Sequence, residues 1–138
     1  MANFCSESDV RLRFQLSDTV LTPSDLLATC IDDAHTEVLR SLDAGVDVDP
    51  PDQGLVTGET LLAGAYVFRA LAAKDAVQQK HVTIGGQRIE DGERFRALTA
   101  VAALTEQQAW FVLEPYVAAN ASRTVLETTA SVPVIGEA

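Results

Sequence analysis

The sequence predicts a mainly α protein: a small bundle of about four helices, with a short β-hairpin near 81–90 and an extended C-terminal arm. Three observations lead there. Hydrophobic residues make up 47% of the chain, but aromatics only 6%, and much of the remainder is alanine. That composition suits closely packed helices better than packed sheets. Long stretches keep a helical apolar period. The stretch "HVTIGGQRIE" sets β-branched residues beside a glycine pair, a hairpin signature. At 138 residues, the chain holds one helical domain over 1–119 and an arm over 120–138.

A short first helix is expected over 6–15. Ser6 or Ser8 of "SESD" can cap it, and Val10, Leu12 and Phe14 supply its apolar side chains. The second helix, "TPSDLLATCIDDAHTEVLRSLDAG", carries the clearest signals. Thr22 is placed to cap it, Pro23 suits the first helical position, and Asp25 completes a variant capping box. Leu26, Leu27, Cys30, Ile31, Ala34, Val38 and Leu42 form one apolar stripe. Asp32, Asp33, Thr36, Glu37, Arg40 and Asp43 fall mostly opposite, and Gly45 is a plausible C-terminal cap.

"VDVDPPDQG" then breaks the pattern as a solvated loop. From Asp43 to Glu59 there are five acids and no Lys or Arg. Half of the net charge is thereby assigned to one place. A third helix follows over 58–78, apolar nearly all round apart from Arg69, which points to burial on most sides, a neighbouring subunit included.

In the hairpin, a Gly85-Gly86 turn sets Ile84 opposite Gln87, Thr83 opposite Arg88, Val82 opposite Ile89 and His81 opposite Glu90. Val82, Ile84 and Ile89 then share one face, which needs something to lie on. The last helix runs from Asp91 through Phe95, Leu98, Val101, Ala102, Ala109, Val112 and Leu113, and Pro115 should end it near Leu113. The tail from Asn120 has no helical period and reads as extended.

Composition also excludes functions. A formal net charge of −10 argues against gripping phosphates across the surface. The first residues show no leader pattern, and no uninterrupted apolar run approaches the length of a membrane span. Two cysteines, Cys5 and Cys30, are too few for a disulfide framework and read as free buried thiols.

No chemistry-bearing constellation stands out. Read as a calcium loop from Asp47, the acidic segment has Pro51, Asp52 and Gly58 where an acid, a glycine and a glutamate belong. Cys5, Cys30, His35 and His81 match no zinc spacing. "TIGGQ" lacks a Walker lysine and a dinucleotide fingerprint. Asp32 and Asp33 point about 100° apart on a helix. No catalytic residue, cofactor or metal is expected, and the chain reads as a non-enzyme. Trp110, Phe111 and Tyr116 form an aromatic cluster that serves either the core or a neighbouring subunit.

The order of parts carries a resemblance. An opening "ESDVRLRF" is followed by "LTPSDLLATCIDDAHTEVLRSL", an apolar helix, "HVTIGGQRI", a final helix and an extended tail. This order resembles the head–tail connector (adaptor) family of tailed bacteriophages over nearly the whole chain. The second helix departs from the family by ending in "RSLDAG" without an aromatic residue, and its following loop is more acidic and proline-rich.

The resemblance implies a structural protein of the virion neck, made in the host cytoplasm. It implies a homo-oligomeric ring, about twelve copies, beneath the portal protein. Such a ring extends the DNA channel and docks the next neck or tail component, with DNA passing but not specifically bound and no membrane involved. The interface residues implied are Val82, Ile84, Arg88 and Ile89 of the hairpin, Trp110 and Phe111 of the last helix, and Val125, Leu126, Val132, Val134 and Ile135 of the arm. Asp43, Asp47, Asp49 and Asp52 become candidates for a surface that repels DNA. The alternative is a small acidic helical adaptor or regulator that binds a cellular protein through the 58–78 helix.

Overall fold

One helix, α3 (Gln53–Gln79), is the axis on which the others pack. The computed structural model describes residues 3–79 and 85–118. In chain order the helices are α1 (Glu7–Phe14), α2 (Ser24–Ser41), α3 and α4 (Gly85–Leu113), closed by a 3-10 turn at Glu114–Tyr116. The mainly helical reading therefore holds. Among the described residues the only β pairing is a single antiparallel bridge between Leu42 and Val117.

Helix α1 starts as its sequence dictates. The Ser6 hydroxyl accepts the Asp9 N–H at 3.2 Å and the Asp9 carboxylate accepts the Ser6 N–H at 2.9 Å, a reciprocal capping box. Helix α2 does not use the cap expected for it. Its N-cap is Pro23, with no side-chain hydrogen bond. The Thr22 hydroxyl is already engaged: it donates to the Asp18 carbonyl at 2.8 Å and accepts from Arg11 at 3.1 Å. The helix also stops before Gly45. Ser41 and Asp43 bond instead to the chain's return, through Ala118 N–H to Ser41 O at 3.0 Å and Asp43 N–H to Tyr116 O at 2.9 Å.

Helix α3 begins five residues earlier than its apolar pattern suggests, with the Asp52 carbonyl accepting from Leu55 and Val56. Most of its apolar circumference is covered within the chain: Leu55, Leu61, Leu62, Ala63, Ala65, Val67, Leu71 and Ala72 are all buried, while Val77 is 57% exposed. Length and composition alone would let Gln53–Val77 cross a membrane, but 67% of its most apolar window is buried inside the protein. That is the pattern of a core helix.

Helix α4 corrects the hairpin. Gly85 to Glu90 are its first residues, so Gln87, Arg88, Ile89 and Glu90 sit on helical backbone and not on a strand. Gln87, Arg88 and Glu90 are good helix formers. Extending an existing helix needs no new nucleus, whereas an isolated hairpin is marginal. Residues 81–84 of the expected first strand, and the arm from Asn120, lie outside the described residues. The other end of α4 stops at Leu113, where Pro115 places it.

Two ion pairs staple α3 to α4. Arg94 grips Asp75 with two bonds, 2.7 and 2.8 Å, and Arg69 pairs with Glu106. Three glycines let the neighbours of α3 approach its backbone: a Cβ at Gly54 would overlap the Tyr116 ring, one at Gly58 would overlap Leu113, and one at Gly64 would overlap the Phe14 ring. Six residues apart, the Gly58 and Gly64 contacts are about 120° apart around α3. α1 and α4 therefore flank it on different sides.

Candidate functional site

Three regions offer something beyond packing. The first is the outer face of α4. Its inner face is buried through Ala102, Thr105, Ala109 and Leu113. The opposite face carries Ala97, Ala100, Val101, Leu104, Gln107, Gln108 and Phe111, all exposed. These positions recur at three and four residues, so they form one stripe. It holds no charge over four turns, in a chain of net −10. Leu104 is 60% exposed and Phe111 77%, so both rims of the stripe's apolar material face solvent.

The second region lies on α1 and the loop that follows it. Leu12 on α1 is 74% exposed, and Val20 and Leu21 in the following loop are 85% and 42% exposed. The loop that displays them is tightly held. Arg11 donates to Leu16 O at 2.9 Å, to Thr22 O at 2.7 Å and to the Thr22 hydroxyl. The Asp18 carboxylate accepts the N–H groups of Val20 and Leu21, an Asx-type turn. Leu12 also borders an open groove of about 310 Å³ shared with Asp9, Arg13, Val56 and Thr57.

The third region is buried and polar. Glu59 is fully buried. One of its oxygens lies 2.7 Å from His35 Nδ1, and the other accepts the Cys5 backbone N–H at 2.9 Å. The Phe4 ring meets the imidazole edge-on, with centroids 4.7 Å apart. His35 Nε2 is buried without a hydrogen-bond partner. That fits the tautomer with hydrogen on Nδ1, which leaves Nε2 a bare acceptor and not an orphaned donor. Burial, then the Glu59 charge, pushes the Cys5 thiol up to about 12. Burial and Asp33 push Cys30 up to about 11. A thiol held protonated is a poor nucleophile. The cluster ties the N-terminal segment to α2 and α3, and among the described residues no group of His, Cys, Asp and Glu is arranged to hold a metal.

Comparison with protein-family models, curated proteins and solved structures finds no match.

The structure separates the residues singled out by sequence. Phe111 is on the exposed stripe, while its neighbour Trp110 is half-buried and packs on the core with Tyr116. Trp110 and Tyr116 thus take the core role, and Phe111 does not. Arg88 and Ile89 lie on α4. Val82, Ile84, Val125, Leu126, Val132, Val134 and Ile135 lie outside the described residues. Asp43, Asp47, Asp49 and Asp52 are exposed in the loop between α2 and α3, as a solvated acidic segment requires. Glu59, counted with them by sequence proximity, belongs instead to the core.

Sequence reading missed the Glu59–His35 pair, the Leu12–Val20–Leu21 patch and most of the α4 stripe. A signal for the first was present. Glu59 shares a helix face with Leu55 and Leu62, and an acid there needs a buried partner.

Proposed function

We propose that this chain is a structural head–tail connector of a tailed bacteriophage. Copies form a ring beneath the portal, extend the DNA channel and dock the next neck or tail component, without catalysis. The observation that carries the reading is the pair of unlike apolar patches on α1 with its loop and on α4, set on different sides of α3. Head-to-tail contact between unlike patches generates rings when the rotation closes. The order of the helices is that of the resemblance drawn from sequence, with helix from Gly85 where its hairpin was expected, and the exposed Asp43, Asp47, Asp49 and Asp52 suit a protein that passes DNA without holding it. The alternative, a regulator that binds a cellular protein through α3, has little left to bind with, since that helix is largely used inside the chain.

The test is mass by light scattering, first of the protein alone and then mixed with the portal protein of the same genome. A ring-sized species, alone or on the portal, is the expected result. A monomer or dimer that ignores the portal overturns the reading.

A further inference from the structure

The buried Glu59–His35 pair has no place for another proton. With hydrogen on Nδ1, the imidazole donates to Glu59 and Nε2 is a bare acceptor, so no buried donor is orphaned. Every way of adding a proton spoils this. On Nε2 it makes an imidazolium whose second N–H is buried with no acceptor. On Glu59 it faces one of the two donors, Nδ1–H or the Cys5 N–H, that the carboxylate now accepts. If the imidazole turns to its other tautomer to receive it, the N–H at Nε2 is orphaned again. The two groups therefore take up their next proton as a unit, and poorly while they stay sealed.

Three elements seal them. Helix α2 supplies His35, α3 supplies Glu59, and Asn3–Cys5 close over both. These last three residues are non-helical and are held by few polar contacts. Asn3 donates to the Asp32 carboxylate at 2.9 Å, the Phe4 ring meets the imidazole, and the Cys5 N–H donates to Glu59. Two of those three contacts are made to the pair itself. We infer that Asn3–Cys5 form a proton-controlled strap: when the pair takes up a proton, the strap lifts from α2 and α3 and water reaches Nε2.

Lifting changes hydration and leaves the pair standing. His35 and Glu59 sit on helices that pack on each other, so their mutual attraction is present with the strap down or up. What differs is the N–H at Nε2, orphaned beneath the strap and hydrated without it. A buried charged donor with no acceptor is the costliest case. The lifted state thus binds the proton more tightly, and acid shifts the population toward it. The other titratable groups nearby do not reverse this. The Cys5 thiol, in the strap beside Glu59, is pushed up to about 12 by burial and stays protonated in acid. Asp9 of α1, which also acts on that thiol, is engaged by Ser6, and Asp32 of α2 by Asn3. Among the described residues His35 has no other ion pair. A segment of few contacts opens at lower cost than the core, so the strap moves while α2 and α3 stay folded. It works within one chain and does not depend on the ring.

Amide exchange reads the strap directly. Protection factors, corrected for the intrinsic pH dependence of exchange, are compared on the full chain between about pH 7.5 and 5.5, the range in which histidine changes charge. The Cys5 amide reports the strap and the Leu62 amide, fully buried in α3, reports the core. Cys5 protection should fall at least tenfold relative to Leu62 as the pH is lowered. His35→Asn keeps an N–H where Nδ1 stands and takes up no proton, so there the ratio should stay level.

A ratio that is level or rises in acid in the wild-type protein overturns the inference. So does a fall that His35→Asn retains, and so does a fall shared equally by Leu62, which is unfolding of the whole. Should His35→Asn not fold, the wild-type ratio of Cys5 to Leu62 decides by itself.

Discussion

Removing the Glu59 carboxylate leaves two buried donors without an acceptor, the Cys5 backbone N–H and the His35 ring. Leaving a buried donor unsatisfied costs about 1–3 kcal/mol, so two such donors cost about 2–6 kcal/mol. Glu59→Ala should lose that much in urea unfolding. Glu59→Gln should lose markedly less, because its carbonyl still accepts from Cys5 and its amide can donate to Nδ1 of the other imidazole tautomer. Equal losses would show that the site is held by shape and not by hydrogen bonding. The buried thiols and a phenol set a pH limit as well. Cys5 is raised from 9.0 to about 12, Cys30 to about 11, and Tyr66 to about 12 by burial and then Glu37 and Glu106. Each folded value lies above the unfolded one, so the stabilisation is intact below about pH 9 and is lost as pH rises through 11 to 12. Urea midpoints measured from about pH 8 to 11 should stay flat and then fall, and a thiol reagent at pH 8 should label the protein only on unfolding. The two cysteines were legible as buried from their number alone. The Glu59–His35 pair was not, because an acid adjoining an acidic loop looks solvated until the helix is known to begin at Gln53.

At the scale of elements, most of the helical architecture was written locally. Ser6 with Asp9 caps α1, Pro115 ends α4 at Leu113, and the apolar stripe of α2 is the face it buries. What local signals missed were competitions. Thr22 had a better partner in Arg11 and Asp18 than in its own helix. The glycine pair at 85–86 had a helix to join, and two glycines at a helix start cost less than at its centre. Gly58 shows the same trade inside α3: it forgoes about 1 kcal/mol of helix propensity relative to alanine to admit Leu113. Gly58→Ala should therefore destabilise the protein despite that gain. Leu113 is fully buried and has nowhere to move, so an overpacking cost of about 1–3 kcal/mol is expected, measurable as a lower thermal midpoint. A rise in the midpoint would mean that α4 can shift along α3.

For the whole molecule, charge and apolar surface are segregated. The acids of the loop between α2 and α3 are exposed, the α4 stripe is neutral, and a second apolar patch sits across α3. The all-round apolar character of α3 was legible, but its meaning was not. A helix can be covered by neighbours of its own chain or of another, and sequence periodicity is the same in both cases. Only the placement of α1, α2 and α4 decides, and it moves the candidate contact surface from α3 to the outside of α4 and to the loop after α1. The mass measurements on the free and portal-mixed protein belong at this scale, since they ask which of those surfaces finds a second molecule.

The clamp that Arg11 places on the loop before α2 has a consequence for whatever meets Val20 and Leu21. A loop of nine residues would ordinarily sample many conformations, and a partner would have to freeze them out, at about 1–2 kcal/mol for each residue ordered. Here the guanidinium, the Asp18 carboxylate and the Thr22 hydroxyl have already fixed the path. The two aliphatic side chains are offered in a preorganised display, and most of that entropic cost is met during folding, before any encounter.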